Sequence, residues 1–165
     1  MAESKRLSLV FCLIAGLLGV IPYYCEPLFI FTFISLIILF YIALKQKNVR
    51  KRVFLPFFAY FIGFYTPLYL FLMELYPYER FGFTEGQAIF IVICSCVLIP
   101  LIHASMVSAV MLLSKLFRGN KWEILVYGAI WCISEWVLTL GVLAFPWGNI
   151  SVALTGFLHY LQTAS

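Results

Sequence analysis

Three observations predict an all-α fold, a polytopic transmembrane helix bundle with about five spanning helices. Of the 165 residues, 64% are apolar and 11% are charged, where an ordinary soluble domain is about 25% charged. The apolar residues gather in five long runs, each near the roughly 20 residues that a helix needs to cross about 30 Å of hydrocarbon. The charged residues fall mostly in short stretches between those runs. So apolar a chain has too little polar surface to cover a globule in water. In lipid, every backbone N–H and C=O must be satisfied internally, which selects helices. The expectation is a single transmembrane domain over residues 1–165, with no soluble domain.

The first run spans residues 7–24. Lys5 and Arg6 stand before it, as they would before a cleaved signal peptide, but Ile21-Pro22-Tyr23-Tyr24 has no small-x-small cleavage pattern. A retained helix is expected. The turn P-Y-Y-C-E-P (22–27) leads to the second run, 28–44, and the basic stretch K-Q-K-N-V-R-K-R (45–52) leads to the third, 53–75. Pro56 falls in the expected first turn of that third helix, where proline is tolerated. Pro67 lies deeper and should bend it. The aromatic and acidic stretch 76–87 precedes the fourth run, 88–114, which is long and holds Pro100, so a kink or tilt is expected. K-L-F-R-G-N-K (115–121) precedes the fifth run, 122–143, and residues 144–165 read as an outer turn and the start of a further segment.

Charge sets the orientation. With the N-terminus in the cytoplasm, Lys5, Arg6, the five basic residues of 45–52, Lys115, Arg118 and Lys121 lie inside, ten of the eleven, and only Arg80 lies outside. Lys/Arg asymmetry between short loops orients membrane proteins in this way. The net charge of +4 is thus topological. No basic stripe is interleaved with exposed aromatics, so nucleic acid is not an expected partner. The chain has no Asp, which argues against a hard-oxygen metal site. Cys12, Cys94, Cys96 and Cys132 sit in apolar runs, and Cys25 in the first turn. Cys94 and Cys96, two apart on a helix, point to different faces, so neither a metal site nor a disulfide is expected.

The most informative stretch is residues 129–150. Glu135 stands well inside the fifth run, where a carboxylate costs about 2.5–3.5 kcal/mol on insertion scales. Tyr127, Trp131, Glu135 and Thr139 follow at steps of four and form one helical stripe. The stripe reads either as the lining of a lipid or peptide headgroup site or as an interhelical hydrogen bond that locks the bundle. Phe145-Pro146-Trp147 ends the helix and, on its residues alone, reads as an interfacial anchor. Asn149, Ser151, Thr155, His159 and Gln162 fleck the segment that follows. His103, three residues after Pro100, is placed to satisfy a carbonyl freed by the proline. Ala104, Ser105, Ser108 and Ala109 read as a helix-packing surface. The chain contains no G-x-S-x-G, no H-E-x-x-H and no phosphate-binding glycine loop.

S-E-W (134–136), F-P-W (145–147) and L-Q-T-A-S (161–165) together resemble apolipoprotein N-acyltransferase, the bacterial membrane enzyme that completes lipoprotein maturation. Ala144 stands where that family often has glycine. A-G-L-L-G-V-I-P-Y-Y-C-E-P-L (15–28) resembles the family's first helix and proline turn, and F-F-A-Y-F-I-G-F-Y-T-P-L-Y-L (57–70) resembles its third helix. The resemblance implies a transferase that moves a fatty acyl chain from a phospholipid to the amino group of an S-diacylglyceryl cysteine, through a thioester. It implies phospholipid and the lipoprotein N-terminus as partners, the bacterial cytoplasmic (inner) membrane as location, and no cofactor. The family's catalytic Glu, Lys and Cys belong to a nitrilase-like domain that follows the F-P-W helix, and no residue here matches them. By the resemblance the chain is the membrane part alone, inactive by itself: a fragment, a truncated gene product, or a half whose catalytic partner is separately encoded. Only Glu135, Trp131, Phe145, Pro146 and Trp147 stand as candidates for the lipid-substrate side. The alternative is a non-enzymatic lipid-binding or transporter-accessory protein.

Overall fold

The computed structural model describes residues 2–45, 49–75, 82–117, 119, 121–138 and 140. Among them there are five α-helices and no strand: α1 (Ala2–Tyr24), α2 (Ile30–Lys45), α3 (Val49–Leu68), α4 (Glu85–Val110) and α5 (Glu123–Leu138). Short 3-10 turns cover Glu26–Leu28, Tyr69–Leu75 and Met111–Phe117. Four segments are long and apolar enough to cross a membrane: Leu7–Tyr24, Glu26–Lys45, Val53–Glu74 and Glu85–Phe117. α5 has 16 residues. The protein is a helical membrane protein, as its composition requires.

The elements differ from expectation mainly at their ends. α3 starts at Val49 rather than Val53, so Arg50, Lys51 and Arg52 belong to its first turns. Pro56 is therefore interior, not in the first turn. The helix closes its backbone bonds before it reaches hydrocarbon, and hydropathy marks only the hydrocarbon. Pro67 acts where expected: α3 ends at Leu68 and the chain tightens into 3-10 turns, while the Tyr24 hydroxyl donates to the Pro67 carbonyl at 2.7 Å. α4 starts at Glu85, three residues before the apolar run. Thr84 caps it, with Gln87 Oε1 accepting from the Thr84 backbone N–H at 3.0 Å and from its hydroxyl at 3.1 Å. α4 continues through Pro100 as one helix.

α3 is the hub. Of its most apolar window 56% is buried, against 22% for α4 and 33% for α1. Its buried side chains Phe57, Tyr60, Phe61, Phe64 and Tyr65 recur at helical spacing and build an aromatic spine. α1 runs parallel to it, with Cys12, Ala15, Gly16, Gly19 and Val20 turned inward and Phe11, Ile14 and Leu17 turned out. The two backbones meet at reciprocal glycines. A Cβ on Gly16 would strike the Tyr60 carbonyl and lie 2.9 Å from the Phe64 nitrogen, and one on Gly63 would strike the Leu13 carbonyl. Small residues allow this approach, and in lipid close packing replaces the hydrophobic drive. α2 runs antiparallel to α1 and is tied to it by Ser35, whose hydroxyl donates to the Ala15 carbonyl at 2.7 Å. α4 packs antiparallel on α3, with His103, Ala104, Val107 and Ser108 buried. The small-residue surface expected on α4 is thus half right. Ala104 and Ser108 face the bundle and Ala109 is exposed, because residues 104 and 109 lie on different sides of one helix.

Candidate functional site in the bundle interior

α5 buries one stripe: Tyr127, Ile130, Trp131, Ser134, Glu135 and Leu138. Three members of the expected step-of-four stripe are in it, and Thr139 lies outside the described residues. Ser134 returns its hydroxyl to the Ile130 carbonyl at 2.7 Å. This satisfies the hydroxyl without a partner helix.

Trp131 and Glu135, one turn apart, pair directly. The indole Nε1–H donates to Glu135 Oε1 at 2.7 Å. Trp131 is 3% exposed and Glu135 9%, so the pair lies in the interior of the described bundle. The hydrogen bond satisfies the indole N–H and one carboxyl oxygen, and so offsets part of the cost of holding both groups out of water. The indole is also clamped by α3. It meets the rings of Tyr60, Phe61 and Phe64 edge-on, at centroid distances of 5.8, 5.1 and 6.5 Å and interplanar angles of 79°, 86° and 90°. Edge-to-face geometry sets the positive ring edge on the negative face, and three such contacts hold the indole in one orientation.

The surroundings of the carboxylate come from α1 and α3. Tyr60 and Phe64 of α3 meet the ring of its partner Trp131, and Tyr23 of α1 and Tyr65 of α3 stand edge-on to Phe64 at 5.7 and 5.3 Å. Tyr60 pairs with Ser35 at 2.8 Å. Ser35 has one hydroxyl proton and gives it to Ala15, so Tyr60 must be the donor to Ser35. The result is a directed chain, Tyr60 to Ser35 to the Ala15 carbonyl, joining α3, α2 and α1. A second node lies on α4. The Tyr69 hydroxyl and His103 Nδ1 are 2.6 Å apart, and the rings of Tyr65 and Tyr69 stand against the imidazole at 5.6 and 5.5 Å. His103 thus pairs with a phenol where a freed carbonyl was expected as its partner, because the 3-10 turn after Pro67 brings Tyr69 across to α4.

Tyr127 belongs to a separate group at the other end of α5. Its hydroxyl donates to Glu123 Oε1 at 2.9 Å, and Glu123 Oε2 accepts from the Gly119 N–H at 3.0 Å. Its ring stacks on Phe40 of α2 at 5.7 Å and tilts against Phe57 of α3 at 5.6 Å.

Of the sequence candidates, the structure brings Trp131 and Glu135 together, and Phe145, Pro146 and Trp147 lie outside the described residues. Sequence reasoning missed Tyr23, Tyr60, Tyr65 and Ser35. The signal for the α3 members was present, since the aromatics of F-F-A-Y-F-I-G-F-Y recur at three- and four-residue steps around Gly63. Ser35 carries no such signal. It is a lone hydroxyl in an aliphatic helix until α1 and α3 supply its partners. The chemistry on offer is a buried acceptor of negative charge in a largely aromatic wall, suited to gripping a hydrogen-bond donor or a cation.

The family model described as the apolipoprotein N-acyltransferase N-terminal domain matches residues 15–165. No curated protein and no solved structure matches the chain.

Proposed function

The chain belongs to the apolipoprotein N-acyltransferase family, and from that premise we propose that it is the membrane part of a lipoprotein N-acyltransferase. The observation that carries the proposal is the length of the match, residues 15–165, which takes in all of α2 to α5 and the C-terminal part of α1 from Ala15. Residues 1–165 act as one transmembrane domain in the bacterial cytoplasmic membrane, with the N-terminus and the basic loops inside. The substrates are a phospholipid and the diacylglyceryl-cysteine N-terminus of a lipoprotein. The acyl carbonyl leaves the phospholipid oxygen for a cysteine sulfur, and the substrate amine then displaces that sulfur. The Glu, Lys and Cys of those steps belong to the family's nitrilase-like domain, and none of the cysteines here takes the nucleophile's place. On this reading residues 1–165 hold the phospholipid and the lipoprotein N-terminus, and the acyl-transfer steps fall to that nitrilase-like domain.

Glu135 and Trp131 support the substrate side of this reading. A carboxyl group kept in hydrocarbon against a cost of about 2.5–3.5 kcal/mol is oriented by the Trp131 indole, which the rings of α3 hold in place.

The test is reconstitution in phospholipid vesicles, with a nitrilase-like domain of the family fused to the chain or co-expressed with it. N-acylation of an S-diacylglyceryl peptide is followed by mass. Acylation that requires both parts is the expected result. Phospholipid binding without acylation in any combination, from a correctly inserted chain, would replace this reading with a non-enzymatic lipid-binding role.

A further inference from the structure

The second aromatic group, around Tyr127, has no part in the proposed reaction, and its surroundings differ from those of Glu135. The Phe40–Tyr127 stack sets the C-terminal part of α2 beside the N-terminal part of α5. The 3-10 turns Met111–Phe117 that end the α4 segment lie at the same end. Three lysines therefore share that end: Lys45, Lys115 and Lys121. Lys45 Nζ sits 4.3 Å from the centre of the Tyr41 ring, and Lys121 Nζ 5.3 Å from that of Trp122. Among the described residues none of the three is held in an ion pair. The acidic group nearest in sequence, Glu123, is instead turned back on the chain by Gly119 and Tyr127. Gly119 has φ +77°, a left-handed backbone that glycine adopts without strain. The loop thus engages its acid with Gly119 and Tyr127, and not with a described lysine. The sequence adds Lys47, Arg50, Lys51, Arg52 and Arg118 in the adjoining stretches.

We infer that this end of the bundle is a binding surface for anionic phospholipid headgroups. The side chains between the lysines select the partner. Leu116, Phe117, Trp122 and Leu125 are 80, 47, 54 and 62% exposed. A soluble anion or an acidic protein would satisfy the ammonium groups alone, whereas these apolar side chains border the acyl chains of the bilayer. A phospholipid satisfies both, with its phosphate at the lysines and its chains along the apolar side chains. Trp and Tyr under the cations stand at the level where headgroup meets hydrocarbon. The inference does not depend on the acyltransferase reading.

Each cation near an anionic surface strengthens binding by about fivefold at moderate salt, so three give at most about a hundredfold preference. The experiment uses the full chain in neutral detergent, with retained phosphatidylglycerol and phosphatidylcholine counted by native mass spectrometry. Phosphatidylglycerol should be retained at least tenfold better, and the preference should shrink as salt shortens the screening length. The triple variant Lys45→Gln/Lys115→Gln/Lys121→Gln should lose the preference with its helical circular dichroism intact, and the corresponding Arg triple variant should keep it. Glu26→Gln/Glu85→Gln, at the opposite end, should change nothing. The inference is overturned if the Gln triple variant keeps the preference, if the parent shows none, or if millimolar glycerol phosphate displaces the lipid, which would make the site one for free anions.

Discussion

Replacing Gly16 by alanine adds one methyl group where α1 and α3 come closest. The new carbon would lie 2.9 Å from the Phe64 nitrogen and 3.0 Å from the Tyr60 carbonyl carbon, with the Tyr60 oxygen nearer still. All three are backbone atoms, so no side chain can swing aside. Restoring an ordinary contact of about 3.5 Å requires the helices to part by on the order of 1 Å. Inserting a methyl into a packed interior costs about 1–3 kcal/mol. Parting the helices also strains the 2.7 Å Ser35–Ala15 and 2.8 Å Tyr60–Ser35 bonds, each worth about 0.6 kcal/mol within a membrane. Together Gly16→Ala should destabilise the bundle by about 2–4 kcal/mol. Gly128→Ala is the control, because a Cβ there meets nothing within 4 Å. Removing a glycine from the middle of α5 should stabilise by about 0.5–1 kcal/mol. Both are read by SDS titration of the purified protein in mixed micelles, following circular dichroism. The same chemical change should thus shift the midpoint in opposite directions at the two sites. Equal shifts, or a Gly16→Ala variant within about 0.5 kcal/mol of the parent, would refute the glycine crossing.

Four further outcomes are expected. Glu135→Leu leaves the buried Trp131 N–H without its acceptor and should cost about 1–3 kcal/mol, whereas Glu135→Gln keeps an acceptor oxygen and should cost less; the reverse order in the same titration would show that the 2.7 Å bond does not hold α5. In the reconstituted enzyme, Glu135→Gln should cut acyl transfer while insertion and stability persist, and full activity would reduce Glu135 to a helix lock. A double-mutant cycle of Tyr69→Phe with His103→Ala should give a coupling of about 0.5–1.5 kcal/mol, and no coupling would dissolve the α3–α4 node. Finally, a variant whose only cysteine is Cys25, exposed in the turn after α1, should react with an impermeant maleimide applied to intact spheroplasts, and one whose only cysteine replaces Lys47 should react only after lysis; the opposite pattern would invert the bundle.

Much of this molecule can be read without coordinates. Apolar runs of spanning length fixed the class, because only helices satisfy their own backbone in hydrocarbon. The step of four from Tyr127 to Glu135 placed both on one face of α5. The start of α4 was not read correctly: hydropathy set it at residue 88, and the Thr84–Gln87 cap starts the helix at Glu85. Tertiary structure alone decided which faces meet. In water an apolar stripe points to the core, but lipid is as apolar as a protein interior, so hydrophobicity does not separate the two. The deciding features are shape and hydrogen-bond reach: glycines that let α1 lie against α3, rings that fill the wider gap to α5, and one serine midway between two helices. Each takes its meaning from atoms twenty or more residues distant in the chain, and only packing brings those atoms together.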